Sequence, residues 1–95
     1  MVARRQLEAE RQRRVPGIAF ADGVDGRVPV IAGTGIQVFE VVGVYRAANG
    51  DRALVQRAFD WLSPAQLDAA LAYYAAYPEE IDRRLMEEDE CFSAE

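Results

Sequence analysis

The stretch FDWLSPAQL, residues 59–67, decides how this chain folds. Ser63 has the chemistry of an N-cap, Pro64 suits the first helical position, and Gln66 completes a capping box. A helix therefore starts at Pro64, with Leu67, Ala70, Leu71 and Tyr74 recurring along one face. Just upstream, Asp60, Trp61 and Leu62 form a stop, and the single tryptophan reads as a plug in the core.

Working back from that stop, Asp51 to Phe59 reads as a short helix. Leu54, Val55, Ala58 and Phe59 point inward, and Arg52, Gln56 and Arg57 outward. Asn49 and Gly50 end an earlier helix that runs from about Gln37 to Ala48, with Val38, Val41, Val42 and Tyr45 on its buried face. Gly33, Thr34 and Gly35 make the corner before it, with Thr34 placed to cap and Gln37 three residues on. Neither the P-loop nor the dinucleotide glycine spacing is present at this corner, so it reads as a strand-to-helix turn.

Before the corner the pattern is extended. Ile18 and Phe20 alternate with alanines, Asp22-Gly23 and Asp25-Gly26 supply turns, and Val28, Val30 and Ile31 continue beyond. Pro29 keeps the second strand short or at an edge, and an open edge offers a second copy of the chain a place to pair. At the far end Pro78 breaks the helix at Tyr77. A last helix from Glu79 carries Ile81, Leu85 and Met86 as a narrow apolar stripe, then dissolves into acidic residues at Glu87. The fold class is thus mainly α: an N-terminal β-hairpin, a tri-helical helix-turn-helix-like (homeodomain-like) unit and a C-terminal helix. Residues 1–15 form a basic arm or helix, 16–78 the hairpin and tri-helical domain, and 79–95 an acidic helix and tail.

Composition narrows the function. The chain has 95 residues, enough for one modest core. Histidine is absent, which removes the commonest general base and metal ligand. Ser63 and Thr34 have no such partner, and the lone Cys91 sits among acidic residues that disfavour its thiolate. These features speak against an enzyme, a metal centre, a bound cofactor or a disulfide framework. No apolar run approaches a membrane span and the N-terminus lacks a signal-like stretch, so the expected location is the cytoplasm.

The net charge of −5 is unevenly spread. Residues 1–14 set Arg4, Arg5, Arg11, Arg13 and Arg14 against Glu8 and Glu10, whereas residues 79–95 set only Arg83 and Arg84 against a run of acids. A basic arm and an acidic tail suit two kinds of partner. Helix-turn-helix proportions would put the helix from Pro64 into a major groove, with Ala65, Gln66, Asp68, Ala69 and Tyr73 outward. Gln66 could then read adenine and Tyr73 touch the backbone, while Arg52, Gln56, Arg57 and Ser63 flank them. The acidic balance and Asp68 work against this, since duplex affinity rests on neutralised phosphates.

GRVPVIAGTGI (residues 26–36), then FDWLSP (59–64), then LDAALAYY (67–74) resemble, in that order and spacing, the bacterial family catalogued as domain of unknown function 433. Its members look like antitoxins of the VapB type, and the likeness covers roughly Pro16 to Ile81. What the resemblance implies is an antitoxin of a type II toxin-antitoxin pair. Such a protein would bind operator DNA as a homodimer for transcriptional autoregulation and neutralise a PIN-like ribonuclease toxin encoded next door. The tail would then be the toxin-binding segment, with Glu79, Glu80, Ile81, Asp82, Leu85, Met86 and Glu87 meeting a basic cleft. The other reading is a protein-protein interaction module that never contacts DNA.

Overall fold

A computed structural model describes the backbone at residues 2–23 and 26–93, and the side chains at 7–23 and 26–87. Of the expectations above, the turn residue Asp25 and the side chains of Arg4, Arg5, Glu88, Asp89, Glu90 and Cys91 lie outside the described residues. The elements in order are α1 (Val2–Arg14), β1 (Ile18–Gly23), β2 (Gly26–Ile31), α2 (Val38–Ala47), α3 (Arg52–Ala58), α4 (Pro64–Ala76) and α5 (Pro78–Ser93).

The hairpin forms as read, antiparallel, with Ile18 opposite Ile31, Phe20 opposite Pro29 and Asp22 opposite Arg27. One face of that register carries Ile18 and Ile31 into the core, both almost wholly buried. The corner that follows differs from expectation. Thr34 does not cap α2: its hydroxyl donates to Ile31 O at 2.8 Å and accepts the Ile36 N–H at 3.0 Å. The chain then doubles back, Gln37 bridges to Val30, and Gln37 itself becomes the N-cap, its N–H held by the Glu40 carboxylate at 2.8 Å. The helix starts within one residue of the expected Gln37, but the cap moves from Thr34 to Gln37 because residues 36 and 37 are spent as extended backbone against β2.

α2 buries Val38, Val41 and Val42 completely, as its periodicity requires. Asn49 (φ 54°) and Gly50 (φ 79°) then turn the chain through left-handed conformations that asparagine and glycine tolerate. Asp51 caps α3, its carboxylate accepting the Ala53 and Leu54 N–H groups. A helix of 7 residues cannot bury a broad face. Only Val55 is fully inside, with Phe59 partly covered beyond the helix end. Leu54, read as inward, is 42 % exposed, and Ala58 also faces solvent.

Trp61 is a second correction. It is 59 % exposed, and Leu62, at 3 %, is the residue that plugs the core. The reason lies in the turn. Gln56 Nε2 donates to Phe59 O (3.3 Å) and Leu62 O (2.8 Å), and Leu62 N–H donates to Phe59 O (3.0 Å). The loop so held sends Leu62 inward and leaves its neighbour on the outside.

α4 is the spine of the molecule. Its capping box is intact: Ser63 Oγ accepts the Gln66 N–H at 3.1 Å, and Gln66 Oε1 accepts the Ser63 N–H at 2.8 Å. Leu67 and Ala70 face one apolar cluster with Ile31, Val41, Val55 and Leu62. Ala69 and Tyr73 face another with Val15, Ile18, Val38, Val42 and Ile81. A helix packed on both sides buries residues that a one-sided reading leaves outside. Ala69 (7 % exposed) and Tyr73 (0 %) are therefore core residues and not an outward reading surface.

Both flanks of the chain close on this spine. Gly17, at φ 96°, makes the turn between α1 and β1, and a Cβ there would stand 3.0 Å from that of Ala69. Tyr77 caps α4, and Pro78 opens α5 immediately afterwards. α5 does not dissolve at Glu87: it stays helical to Ser93.

Candidate partner-binding surfaces

The strongest polar constellation lies where α1, α4 and α5 meet. Tyr73 sits on the buried side of α4, and its hydroxyl donates to Glu80 Oε1 at 2.7 Å. Arg11, carried there by α1, donates to that same hydroxyl at 2.8 Å and pairs with the Glu80 carboxylate. The Arg11 guanidinium also lies 4.4 Å above the Tyr77 ring, with Arg14 at 5.6 Å. Burial pushes the Tyr73 hydroxyl far above the ordinary tyrosine range, with the hydrogen bond to Glu80 adding to the rise. Tyr73 thus stays neutral as a donor to Glu80. This is a structural clasp, and its chemistry is positional.

A second clasp follows two residues later on α5. Asp82 accepts from Tyr74 Oη at 2.7 Å and from Arg46 at 3.2 Å, which ties α5 to both α4 and α2. Tyr74 is raised above its ordinary range, first by that hydrogen bond. Between these contacts Ile81 is 2 % exposed. Ile81 is therefore committed to the chain's own core, which corrects its reading as a toxin-facing residue, while Glu80 and Asp82 are ion-paired within the chain and stay partly exposed. An amphipathic stripe finds the nearest apolar surface, and here that surface is the chain's own core. Leu85 is half-buried against the same core, while Glu79, Met86 and Glu87 remain exposed.

The residues expected to touch DNA divide similarly. Arg52 donates to Asp68 Oδ1 (3.0 Å from Nε) and to Pro64 O (3.1 Å), so it braces α3 against the start of α4. Gln56 holds the turn, and Ser63 and Gln66 cap one another. Tyr73 is inside. Of the set, only Arg57 is exposed without an ion pair among the described residues. The outward face of α4 offers Ala65, Asp68, Ala72 and Ala75 and no cation.

Sequence reading missed two features. One is the pairing of α1 to the body: Arg27 on β2 grips Glu8 with two hydrogen bonds, 3.0 and 2.9 Å, besides meeting Asp22 at 3.1 Å. These partners hold the Arg27 guanidinium above its ordinary pKa. Alternating charge on the arm was the only hint. The other is a cleft of about 290 Å³ between β2, the start of α2 and α5, whose lining includes Arg27, Val28, Pro29, Phe39, Arg83 and Arg84. Arg84 stacks over the Phe39 ring there at 4.8 Å. Among the described residues, no group of three or more acidic, histidine or cysteine side chains is placed to hold a metal ion. No helix among them is long and apolar enough to cross a membrane.

Hairpin, corner, α2, α3 and most of α4 together are the segment that matches a family model, described as Protein of unknown function (DUF433), over residues 18–74. This chain belongs to the DUF433 family. The DUF433 match ends at Tyr74, so both flanking helices, with Arg11 and Glu80, lie outside it. No curated protein and no solved structure matches the chain.

Proposed function

We propose that this DUF433 protein is the antitoxin of a type II pair and neutralises a PIN-like ribonuclease through the outer half of α5. The observation that carries the proposal is the division of α5 into two halves. Glu80, Ile81 and Asp82 anchor it, and beyond them exposed Met86 and Glu87 lead a helix that continues to Ser93 through an acidic sequence. A rigid base followed by exposed Met86 and Glu87 and a helix of acidic sequence suits insertion into the cationic cleft of a nuclease. The segment enters partly ordered, which lowers the entropic cost of docking.

Support for operator binding is thinner, because α4 turns no cation outward and Arg52 is already paired with Asp68. That observation favours an interaction module acting on protein over one reading DNA through α4.

The test is a chain ending at Leu85, co-expressed with the ribonuclease encoded beside it. It keeps Ile81 and both clasps, so circular dichroism and the melting curve should stay close to those of the full chain. Rescue of growth from the toxin should be lost. A correctly folded truncation that still rescues would sink the proposal.

A further inference from the structure

The α3–α4 turn, at the opposite end of α4 from α5, carries a surface that toxin neutralisation leaves unused. Trp61 is 59 % exposed there and Leu54 42 %, with Ala53 and Ala58 exposed on the same short helix. The i, i+4 spacing puts Leu54 and Ala58 on one side of α3, and Trp61 follows in the turn just beyond its end. Phe59 braces the indole edge-on, with ring centroids 6.2 Å apart and planes at 70°. Since Phe59 itself packs against the core, the indole is displayed on a firm support. A braced aromatic amid small apolar residues is the usual composition of an interface centre.

Two charges flank it. Arg57 ends α3 and Asp60 opens the turn; both are exposed, and neither has an ion-pair partner among the described residues. Arg27, Arg46 and Arg52 are each paired with a carboxylate of this chain, whereas Arg57, like Arg13 and Arg83, is not among the described residues; what marks Arg57 is its place beside the exposed indole. One free cation and one free anion beside an apolar centre are self-complementary under a two-fold axis. A nucleic acid would meet repulsion at Asp60, and a partner of a single charge sign would leave one of the two unmatched.

We propose that Leu54, Arg57, Asp60 and Trp61 form an isologous contact with a second copy of this chain. The indoles pack near the axis, and Arg57 of each copy meets Asp60 of the other. α4 separates this contact from the start of α5 by about 20 Å, so both acidic helices of the dimer stay accessible. The inference stands independently of the antitoxin reading.

Trp61 is the only tryptophan, so its fluorescence reports this surface alone. Full-length protein is examined from about 1 µM to about 1 mM, a range that brackets weak association, by sedimentation and by emission with acrylamide quenching. Dimerisation should shift the emission to the blue and protect the indole in step with sedimentation. Trp61→Ala should weaken association about thirtyfold, as expected for an interface centre. Arg57→Asp and Asp60→Arg alter exposed side chains only, and each alone should sediment as a monomer where the wild type is dimeric. Mixed in equal amounts, they restore both ion pairs and should recover the dimer with its protected indole. Three results overturn the proposal: a protein that stays monomeric throughout, a dimer whose tryptophan remains as exposed as in the monomer, or a mixture no better associated than either variant. Protection of Trp61 by added DNA or RNA and not by protein concentration would also overturn it, and would assign the surface to nucleic acid.

Discussion

Tyr73→Phe isolates a single hydroxyl at the α1–α4–α5 junction. That hydroxyl donates to Glu80 Oε1 at 2.7 Å and accepts from Arg11 at 2.8 Å. Hydrogen bonds to charged groups contribute about 1.5–3 kcal/mol each when their loss strands a partner. Here Arg11 and Glu80 keep one another, so the loss at pH 8 should sit at the low end, about 1.5 kcal/mol. The alkaline range supplies the sharper test. Burial, reinforced by the bond to Glu80, keeps Tyr73 protonated in the folded chain well above the range in which a free tyrosine ionises. The unfolded chain loses that proton near pH 10 and so binds fewer protons than the folded one above it, which makes stability fall as pH rises. For one such group the loss at pH 11 is RT ln(1 + 10), about 1.4 kcal/mol. Phenylalanine has no proton to lose. The advantage of the wild type over Tyr73→Phe should therefore shrink from about 1.5 kcal/mol at pH 8 to about zero at pH 11. Tyr74 titrates alike in both proteins and cancels. Urea melts at the two pH values measure the difference, and an equal gap at both would refute the burial of this hydroxyl.

Three further outcomes follow from the packing. In dilute protein Trp61→Ala should cost no more than about 0.5 kcal/mol, whereas Leu67→Ala should cost about 2–5 kcal/mol, and chemical melts would separate the two by their midpoints. Ser63→Ala should lose about 1 kcal/mol by breaking the α4 capping box, with Ser63→Asp recovering most of it in the same assay. Gly43 lies inside α2, and a Cβ there would meet Leu85 Cδ2 at 3.4 Å, an adjustable contact with the end of a flexible side chain. Gly43→Ala should therefore stabilise by about 0.5–1 kcal/mol through helix propensity; a lower melting temperature would show that α5 cannot yield.

Local signals were legible where local chemistry settles the structure. The box Ser63-Pro64-Gln66, the stop at Asn49-Gly50 and the hairpin each act through a few adjacent residues, and each stands where its chemistry required. Trp61 and Tyr73 were misplaced for the opposite reason. Size and aromaticity argue for burial, yet whether Trp61 or Leu62 turns inward depends on two carbonyls that Gln56 captures from the preceding helix. Tyr73 has a near-uniform apolar setting, LAYYAA, in which no face stands out. Its burial depends on α5 and the hairpin closing over it together with Val38 and Val42 of α2. The family likeness reached the DUF433 core from hairpin to α4, but the match leaves out the two flanking helices that carry Arg11 and Glu80.

Those helices are coupled through one residue pair, and this changes how the acidic tail should be understood. Arg11 reaches Glu80 across the junction, so one cation of the basic arm is already spent on the start of α5. Ile81 in turn belongs to the core, with Glu80 and Asp82 paired at its edge, so α5 cannot be removed at Pro78 without opening the apolar cluster around Tyr73. What remains for a partner begins at Arg83 and includes Met86 and Glu87. On the proposed function, the neutralising segment would be fixed at its base by three contacts: Glu80 to α1 and α4, Ile81 to the core, and Asp82 to α2 and α4. Its direction is set by the fold before any partner arrives. Loss of neutralisation after a change at Arg11 or Tyr73 would then arise from lost orientation of the exposed half, with every partner-facing residue of α5 still in place.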